Sequence, residues 1–389
     1  MRVLQLHSAY RTPSGEDRVV ALEAEALRAV GHDVFQHVVP NPSRLAPTLG
    51  LLAQSPYNLP AARAAVQHAR AVSADVVHVH NTWFAQSPGV VHALSRAGFP
   101  LVATVHNYRT VCIRGTMFRD DHECTECLGG SVLPGVRHGC YENTGLSAVA
   151  GATLTLHRAL GTWTDAPDVL LVPSQTVRTT LLAAGFDDGK IVVKQHVTPD
   201  PGPRTAPPSR SRTVLFVGRL RPEKGIHVLL EAWRRCAPGD LELVVVGADA
   251  GPEALDGPPG VRWTGQLAPA EVAALMLSSR ALVFPSLWQE PFGLILIEAM
   301  AAGLPVVGFR AGDAARIVGD AGLLVAGDGP ADLDPPLRQL LDDALVDRLG
   351  ATGRERFLDG YGLDRQTATL QAAYERAVAA REGRLAARS

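Results

Sequence analysis

The sequence predicts an α/β protein with two parallel-sheet domains in tandem. Short apolar runs of strand length alternate with helical segments in both halves of the chain, which is the pattern of parallel sheets covered by helices on both faces. A proline-rich stretch separates the halves, and proline lacks the N–H that a helix interior or an inner strand needs. A chain of 389 residues is long enough for two domains.

The net charge and the lengths of the apolar runs exclude some classes of partner and some cellular locations. With a formal net charge of −2, the chain lacks the basic character of nucleic-acid-binding domains, so we expect no nucleic-acid partner. No apolar run reaches the roughly 20 residues that cross a bilayer, and the N-terminus is too polar for a signal peptide. We therefore predict a cytoplasmic protein, and the abundance of Ala, Gly, Pro and Arg indicates a bacterial origin.

Lysine is unusually scarce in this chain. Its three lysines are Lys190, Lys194 and Lys224, and arginine supplies the other positive charges. Ammonium and guanidinium groups are not interchangeable, so a lysine in a lysine-poor chain is a candidate for a specific chemical role.

The first predicted domain covers residues 1–197. Its first helix is expected from about Glu16 to Val30, with Gly31 in the position that follows many helix ends. A cysteine-bearing insertion occupies about 107–145. Apolar segments predict strands at 3–7, 34–38, 76–79, 101–105 and 169–172.

The second predicted domain covers residues 213–362 and follows a proline-rich linker at 198–212. A break at Gly360–Gly362 precedes a C-terminal helix within 363–389. Open parallel sheets bind ligands outside the carboxyl ends of their strands, so two such domains predict a ligand-binding cleft. Strands are expected at 214–217, 241–246, 281–284, 305–307 and 323–325.

The segment 284–300 carries the strongest functional signal. A strand ends at Phe284, a loop carries Glu290, and a helix is predicted to begin at Pro291, since proline suits the first position of a helix. The free amides of such a helix end bind phosphate. These amides belong to Phe292, Gly293 and Leu294.

A second glutamate, Glu298, lies inside the apolar helical run that follows. A carboxylate buried there needs a partner, and a carboxylate can accept hydrogen bonds from two sugar hydroxyls. The two glutamates can therefore hold different parts of one ligand. The alternative interpretation is that Glu298 is an ordinary polar helix residue and Glu290 a solvated loop residue.

Another signal follows the strand at 214–217. Gly218 ends the strand, and Arg219 and Lys224 lie on the loop before a helix that begins near Gly225. Two cations at the carboxyl end of a strand can neutralise a diphosphate leaving group. A loop with surface charges is the alternative for this segment taken alone.

Together these motifs resemble the retaining glycosyltransferases of family 4, the group 1 glycosyltransferases, and the resemblance runs through essentially the whole chain. It implies the GT-B architecture, in which two Rossmann-like domains face each other across a cleft. It also implies sugar transfer from a nucleotide diphosphate donor, with UDP favoured, to a hydroxyl acceptor such as a glycan, a lipid-linked sugar or a natural product.

The resemblance assigns roles to the residues of the second domain. Arg219 and Lys224 would bind the donor diphosphate, Glu290 the transferred sugar and Glu298 the ribose hydroxyls. The remaining donor contacts would come from backbone groups of Gly218, Phe292, Gly293 and Leu294. The family's last helix often returns to the first domain, which we expect for residues 363–389.

In the first domain, Ser14–Asp17 takes the place of the family's glycine-containing loop, which approaches the donor phosphates. Gly15 is therefore assigned to the donor site, although the family often has two adjacent glycines there. Thr104–Asn107 resembles the family's histidine motif and would place His106 at the reacting centre; a packed histidine near a strand end is the alternative. The family's Gly-Gly-x-Pro-Glu stretch is replaced here by Ala311–Ala315.

The resemblance also implies a retaining reaction without a protein nucleophile or a catalytic metal. The leaving phosphate would help to deprotonate the acceptor, and the predicted catalytic residues are His106, Arg219, Lys224 and Glu290. Two alternatives are a nucleotide-sugar epimerase of similar fold and a catalytically inactive nucleotide-sugar-binding subunit. A lipid-linked acceptor would bring the protein to the inner face of the membrane as a peripheral protein.

Four of the five cysteines cluster in the insertion. Clustered cysteines in a cytoplasmic protein indicate a metal more than disulfides, and tetrahedral zinc is the first candidate, with His122 or His138 as substitute ligands. Such a site would be structural. Free or redox-active thiols and disulfides are the alternatives. The cysteines are Cys112, Cys124, Cys127 and Cys140.

Overall fold

The structure is a computed structural model that describes residues 1–10, 14–41, 54–236, 238–248 and 257–386. The chain divides into two compact units. The first combines residues 1–117 and 124–196 with the C-terminal segment from Leu363, and the second combines residues 118–123 with 197–362. Residues 387–389, at the end of the predicted C-terminal segment, lie outside the described residues.

The first unit is built on a six-stranded parallel sheet. Its strands are short and mostly apolar, as strands covered on both faces must be. They pair in the order β2-β1-β3-β4-β7-β8. Their bounds are β1 (Arg2–Ala9), β2 (Asp33–Pro40), β3 (Val76–Val79), β4 (Leu101–Thr104), β7 (Val169–Val172) and β8 (Ile191–Val193). In residues 118–123 of the insertion, which group with the second unit, β5 (Phe118–Arg119) pairs with β6 (His122–Glu123) in antiparallel fashion.

Helices cover this sheet. Ser14 caps the first of them through a reciprocal pair of hydrogen bonds with Asp17, which satisfies amides that the helix itself leaves free. Tyr374, on the last helix, is fully buried in the core of this unit. The helices are α1 (Gly15–Ala29), α2 (Leu59–Ala71), α3 (Gly89–Arg96), α4 (Leu133–Arg137), α5 (Thr144–Ala159), α6 (Gln175–Ala183) and the C-terminal α13 (Leu363–Ala386).

The second unit contains another six-stranded parallel sheet. Its order is β11-β10-β9-β12-β13-β14, so the chain reverses direction across the sheet between β9 and β12. Ligands of open parallel sheets bind at this reversal point. The strands are β9 (Thr213–Val217), β10 (Glu242–Val246), β11 (Val261–Gly265), β12 (Ala281–Phe284), β13 (Val306–Phe309) and β14 (Gly322–Val325).

Among its described residues, the second unit has six α-helices. None of the helices in the described ranges of the chain is long and apolar enough to cross a membrane. The six are α7 (Ile226–Cys236), α8 (Pro269–Leu277), α9 (Leu294–Ala301), α10 (Ala314–Val318), α11 (Pro330–Gln339) and α12 (Asp343–Gly360).

The proline-rich stretch at 198–212 is packed against the second unit. The Arg204 guanidinium donates to the backbone oxygens of Met276 and Ala302, at 2.9 and 3.2 Å. Further along, the Ser209 amide and hydroxyl donate to the Asp347 carboxylate at 2.9 and 2.8 Å. Because proline has no backbone N–H, the stretch is attached to the second unit largely through side-chain hydrogen bonds.

The predicted α/β class with two Rossmann-like parallel sheets is confirmed. Strands at 76–79, 169–172 and 281–284 have the bounds that the sequence predicts. Two strands are not predicted from the sequence: β8, which has only three residues, and β11, an edge strand with partly exposed side chains. Both lack the long apolar run by which the other strands are recognised.

Candidate functional site

The two predicted donor-binding loops lie side by side at the reversal point of the second sheet. One follows β9 and the other follows β12. The Leu287 amide donates to the Glu223 backbone oxygen at 3.0 Å. Gly225 has a φ of +67°, and a Cβ at this position would lie 1.8 Å from the Pro285 backbone oxygen. Only glycine allows this close backbone approach, which fixes the two loops against each other.

The approach brings Lys224 and Glu290 together. The Lys224 Nζ lies 2.5 Å from the Glu290 Oε1, and the two side chains are 17% and 12% exposed. Ser286 Oγ donates to the other carboxylate oxygen of Glu290 at 3.1 Å, and Lys224 Nζ lies 5.3 Å from the Trp288 ring centroid. The ammonium and the carboxylate therefore hold each other in fixed positions near the surface.

The backbone of Glu290 also packs closely against Gly312. Gly312 has a φ of +57°, and a Cβ there would lie 2.3 Å from the Glu290 backbone oxygen and 2.7 Å from its amide nitrogen. A glycine is needed here, because any side chain would displace the loop. The segment Ala311–Ala315, which departs from the family pattern, thus keeps one glycine in direct contact with the site.

Arg219 and Gly218 lie at the end of β9. The Arg219 side chain is exposed, and within the part of the chain that the structure describes no carboxylate pairs with it. The Gly218 amide donates to the Val246 backbone oxygen at 3.0 Å. The Arg219 guanidinium is thus available to an anion at the carboxyl end of β9, whereas the Lys224 ammonium is already paired with Glu290.

The helix after Glu290 begins later than predicted. The sequence places its first turn at Pro291, but α9 begins at Leu294, with Gly293 as its N-cap at a φ of +84°. A residue in the left-handed region cannot belong to the helix, so the prediction for Pro291 is wrong. Phe292 is buried in the core. Glu298, half-buried, lies about one turn into α9, roughly 6 Å along its axis.

In the first unit, Gly15 opens α1 next to a polar network. The Asp17 carboxylate accepts from Ser14 and from His7 Nε2, the latter at 2.8 Å. Burial opposes the ionised form of Asp17, but the hydrogen bonds from His7 and Ser14 lower its pKa below the usual value. The loop that carries the single glycine is thereby fixed to the end of β1.

His106 lies at the end of β4, where it is 7% exposed. His80 Nδ1 lies 3.0 Å from His106 Nε2, and the His106 ring stacks between those of His80 and His196 with centroids 5.3 and 5.2 Å away. Burial lowers the pKa of His106 to about 3, since the imidazolium would lose its hydration. His106 is therefore neutral near pH 7, with one ring nitrogen that donates a hydrogen bond and one that accepts.

A buried cluster of charged and histidine side chains, which no sequence motif indicates, adjoins His106 through His80. Glu23 pairs with Lys194, and its other oxygen lies 3.9 Å from ring nitrogens of both His78 and His80. Over the described residues, Glu23, His78 and His80 are the group of three that could hold a metal ion. However, the His78 nitrogens already bond to Tyr374 and to a threonine hydroxyl. The group is thus explained as a hydrogen-bonded network.

The four cysteines of the insertion are free thiols, and in the described ranges they do not form a group of three potential metal ligands. Burial raises the pKa of the Cys127 thiol. The Arg158 guanidinium donates to the backbone oxygens of Val111, Cys127 and Gly130 at 2.9, 2.8 and 2.5 Å. Arg158 therefore joins three backbone positions of the insertion by hydrogen bonds, a stabilising role that the sequence assigns to zinc. The zinc site itself stays a prediction.

Several contacts of the site could not be found from motifs. Ser286 and Trp288 lie in the segment that the sequence singles out, but only the structure shows that they touch Glu290 and Lys224. The sequence signal for His78 and His80 is the Val-His-Val-His alternation of 77–80, which places both rings on one face of a strand.

The sequence matches known families in both halves. Residues 13–195 match the family described as Glycosyltransferase Family 4, and residues 211–343 match Glycosyl transferases group 1. A phosphatidyl-myo-inositol mannosyltransferase from Mycobacterium leprae is 30% identical over 381 residues, which cover 89% of each chain. A D-inositol 3-phosphate glycosyltransferase from Corynebacterium glutamicum is 27% identical over 289 residues, covering 70% of this chain and 65% of the relative.

Solved structures with the same fold include two that cover nearly the whole chain. Sucrose-phosphate synthase from Thermosynechococcus elongatus superposes with a TM-score of 0.73 at 20% identity, covering 98% of this chain and all of that structure. The Anabaena protein HepE in complex with UDP-glucose has a TM-score of 0.65 at 18% identity, with 96% of this chain and 100% of that structure covered.

Proposed function

The chain belongs to the group 1 glycosyltransferases of family 4, and from this premise we propose that it transfers a sugar from a UDP-sugar to a hydroxyl acceptor with retention of configuration. Its fold is the GT-B fold that the sequence predicts. The observation that carries the proposal is the Lys224–Glu290 pair at the reversal point of the second sheet.

The donor is proposed to bind on the second unit. Lys224 and Arg219 lie on the same loop, so an anion there can use one paired ammonium and one available guanidinium. The first amides of α9 at Gly293 and Leu294 add the positive end of a helix. Glu298, one turn inside α9, takes the ribose hydroxyls, and Glu290 takes hydroxyls of the transferred sugar.

The proposed reaction uses the leaving diphosphate itself as the base. The acceptor oxygen bonds to the anomeric carbon as the bond from that carbon to the diphosphate oxygen breaks, and the acceptor proton passes to the leaving phosphate. Lys224, Arg219 and the α9 amides stabilise the charge that develops on the diphosphate. His106, neutral near pH 7, is proposed to hydrogen-bond a hydroxyl at the reacting centre through its Nδ1, which has no partner among the residues that the structure describes.

The names of two relatives bear on the acceptor and on the location. Two relatives have names that contain a phosphorylated inositol, which supports a polyol acceptor for this chain. If that acceptor carries a lipid, the protein works at the inner face of the membrane from the cytoplasm.

A thermal-shift panel of UDP-, GDP-, ADP- and TDP-sugars tests the donor site. UDP-sugars are expected to raise the Tm by about 5 to 10 °C at a hundred times Kd, since such a ligand stabilises by about 2.7 kcal/mol. Lys224→Ala should lose this shift, and EDTA should leave it unchanged. Lys190→Ala serves as the control, since the Lys190 ammonium donates to two backbone oxygens of the first unit. If no nucleotide sugar shifts the Tm of the wild type, the proposed function is wrong.

Retention of configuration is tested on the product. With an α-linked donor sugar, we expect the new glycosidic bond to be α as well, because no step in the proposal attacks the anomeric carbon from the opposite face. The anomeric proton coupling in the NMR spectrum of freshly formed product distinguishes the two outcomes. A β product would overturn the proposed mechanism while leaving glycosyl transfer itself intact.

A further inference from the structure

A pocket that is open to solvent, with about 680 Å³ of empty space in and around it, lies entirely within the first unit and includes His106 in its lining. The ends of β3 and β4 form one side, through His80 and the residues that follow it and through 104–110. The cysteine-bearing insertion and α5 form the other, through residues such as Ile113 and Leu154. The insertion thus helps to build a cavity next to the predicted reacting centre.

Two regions of the pocket differ in polarity. Near Asn107, the Glu16 carboxylate accepts from Asn107 Nδ2 at 3.0 Å and from Tyr10 Oη at 2.8 Å. Burial raises the pKa of Glu16 even though these hydrogen bonds favour its ionised form. The insertion and α5 contribute apolar side chains, among them Ile113 and Leu154. The polar region suits hydroxyl groups, which can both donate and accept.

Arg109 is the cation of this lining. Its guanidinium carbon lies 5.8 Å from the Trp83 ring centroid and 5.6 Å from that of Tyr141, and the Trp83 Nε1 donates to the Tyr141 hydroxyl at 3.3 Å. The two rings, which are perpendicular to each other, hold the guanidinium at this place in the lining by cation–π contacts. No carboxylate among the described residues forms an ion pair with Arg109, although its charge favours the ionised form of Glu16 in the same pocket.

We infer that this pocket binds the acceptor and that Arg109 binds a phosphate ester on it, so that the acceptor is a phosphorylated polyol or sugar. The inference rests on the proposed function, whose acceptor site it defines. A guanidinium that has no carboxylate in an ion pair with it can bind two oxygens of a phosphate in a bidentate manner. The hydroxyl to be glycosylated then lies toward Glu16, Asn107 and His106, where hydroxyl partners are available.

The test measures the binding of defined probes by calorimetry in the presence of UDP. D-inositol 3-phosphate is compared with myo-inositol, and glucuronate with glucose. Wild type is expected to bind D-inositol 3-phosphate at least about tenfold more tightly than myo-inositol, as a charge-assisted hydrogen bond predicts. Arg109→Gln should reduce binding of the phosphate probe to the level of myo-inositol, and Arg109→Lys should retain part of it, because lysine keeps the charge without the planar fork.

Arg63→Gln is the matched control, since Arg63 is an exposed residue of α2 outside the pocket. It should bind the phosphate probe as wild type does. UDP binding to each variant shows that the donor site is folded and separates the two proposals. If UDP binds but the phosphate makes no difference, or Arg109→Gln binds D-inositol 3-phosphate as wild type does, this inference fails while the donor site stands. If wild type binds glucuronate but does not bind D-inositol 3-phosphate, the assignment of Arg109 to a phosphate is wrong.

Discussion

Glu290→Gln is expected to lower kcat/KM for sugar transfer by at least about a hundredfold, the size of effect seen when one preorganised electrostatic group is removed from an active site. Glutamine keeps the shape but removes the charge that faces the Lys224 ammonium at 2.5 Å. It also weakens the acceptor that Ser286 Oγ uses. Sugar hydroxyls and the ammonium would then both lose their fixed partner.

The measurement separates binding of the nucleotide from binding of the sugar. Glu290 is assigned to the sugar, so UDP alone should still raise the Tm of Glu290→Gln, whereas the UDP-sugar should add nothing to that shift. Glu355→Gln removes a carboxylate from an exposed position of α12 and should leave kcat/KM within about threefold of wild type. If Glu290→Gln is as active as this control, Glu290 has no role in transfer.

The strands that the sequence predicts best are those with the simplest environment. Val76–Val79, Val169–Val172 and Ala281–Phe284 are buried on both faces, so burial alone dictates an unbroken apolar run. The edge strand β11 contains Arg262 and Thr264 beside Val261 and Trp263, partly exposed. Its pattern is shared by many loops, and only pairing with β10 makes it a strand.

The start of α9 shows how a local rule can fail. Proline at the first position of a helix is a sound general preference, but it describes only one residue. The left-handed backbone of Gly293 ends any helical path from Pro291, and the neighbouring Phe292 is buried in the core. The sequence contains the glycine, yet nothing in the sequence states which φ it adopts.

The residues of the donor site were predictable one by one, but their pairing was not. Lys224 and Glu290 are 66 positions apart, and they meet because β9 and β12 are neighbours in the sheet. Gly312 contacts Glu290 for a similar reason, since β12 and β13 are adjacent. Strand order is a property of the whole sheet, and a motif cannot contain it.

The few lysines of this chain have specific structural partners. Lys224 pairs with Glu290 and Lys194 pairs with Glu23, so two of the three lysines form ion pairs with glutamates of limited exposure. Lys190 instead donates to two backbone oxygens. The sequence could mark these residues as unusual, but Lys194 and Glu23 are 171 positions apart, and no local pattern connects them.

Lys194→Met is expected to destabilise the first unit by about 3–5 kcal/mol, because it leaves the Glu23 charge buried without its partner. The Lys194 and Glu23 side chains are only 2% and 3% exposed, so water cannot replace the ammonium. Hydrogen exchange of peptides from β1 and β3 measures the loss within this unit. Lys190→Met, which removes two bonds to backbone oxygens at the surface, should cost only about 1–3 kcal/mol.

The double variant Glu23→Leu with Lys194→Met decides whether charge is the cause. Replacing a buried ion pair by apolar groups of similar volume is often neutral or stabilising, so the double variant should recover most of the stability lost in Lys194→Met. Glu23 also lies 3.9 Å from His80 Nε2, and His80 positions His106. We therefore expect the stable double variant to keep a reduced kcat while UDP still binds. Equal losses of stability in the single and double variants would show that packing of the lysine chain, and not its charge, stabilises the unit.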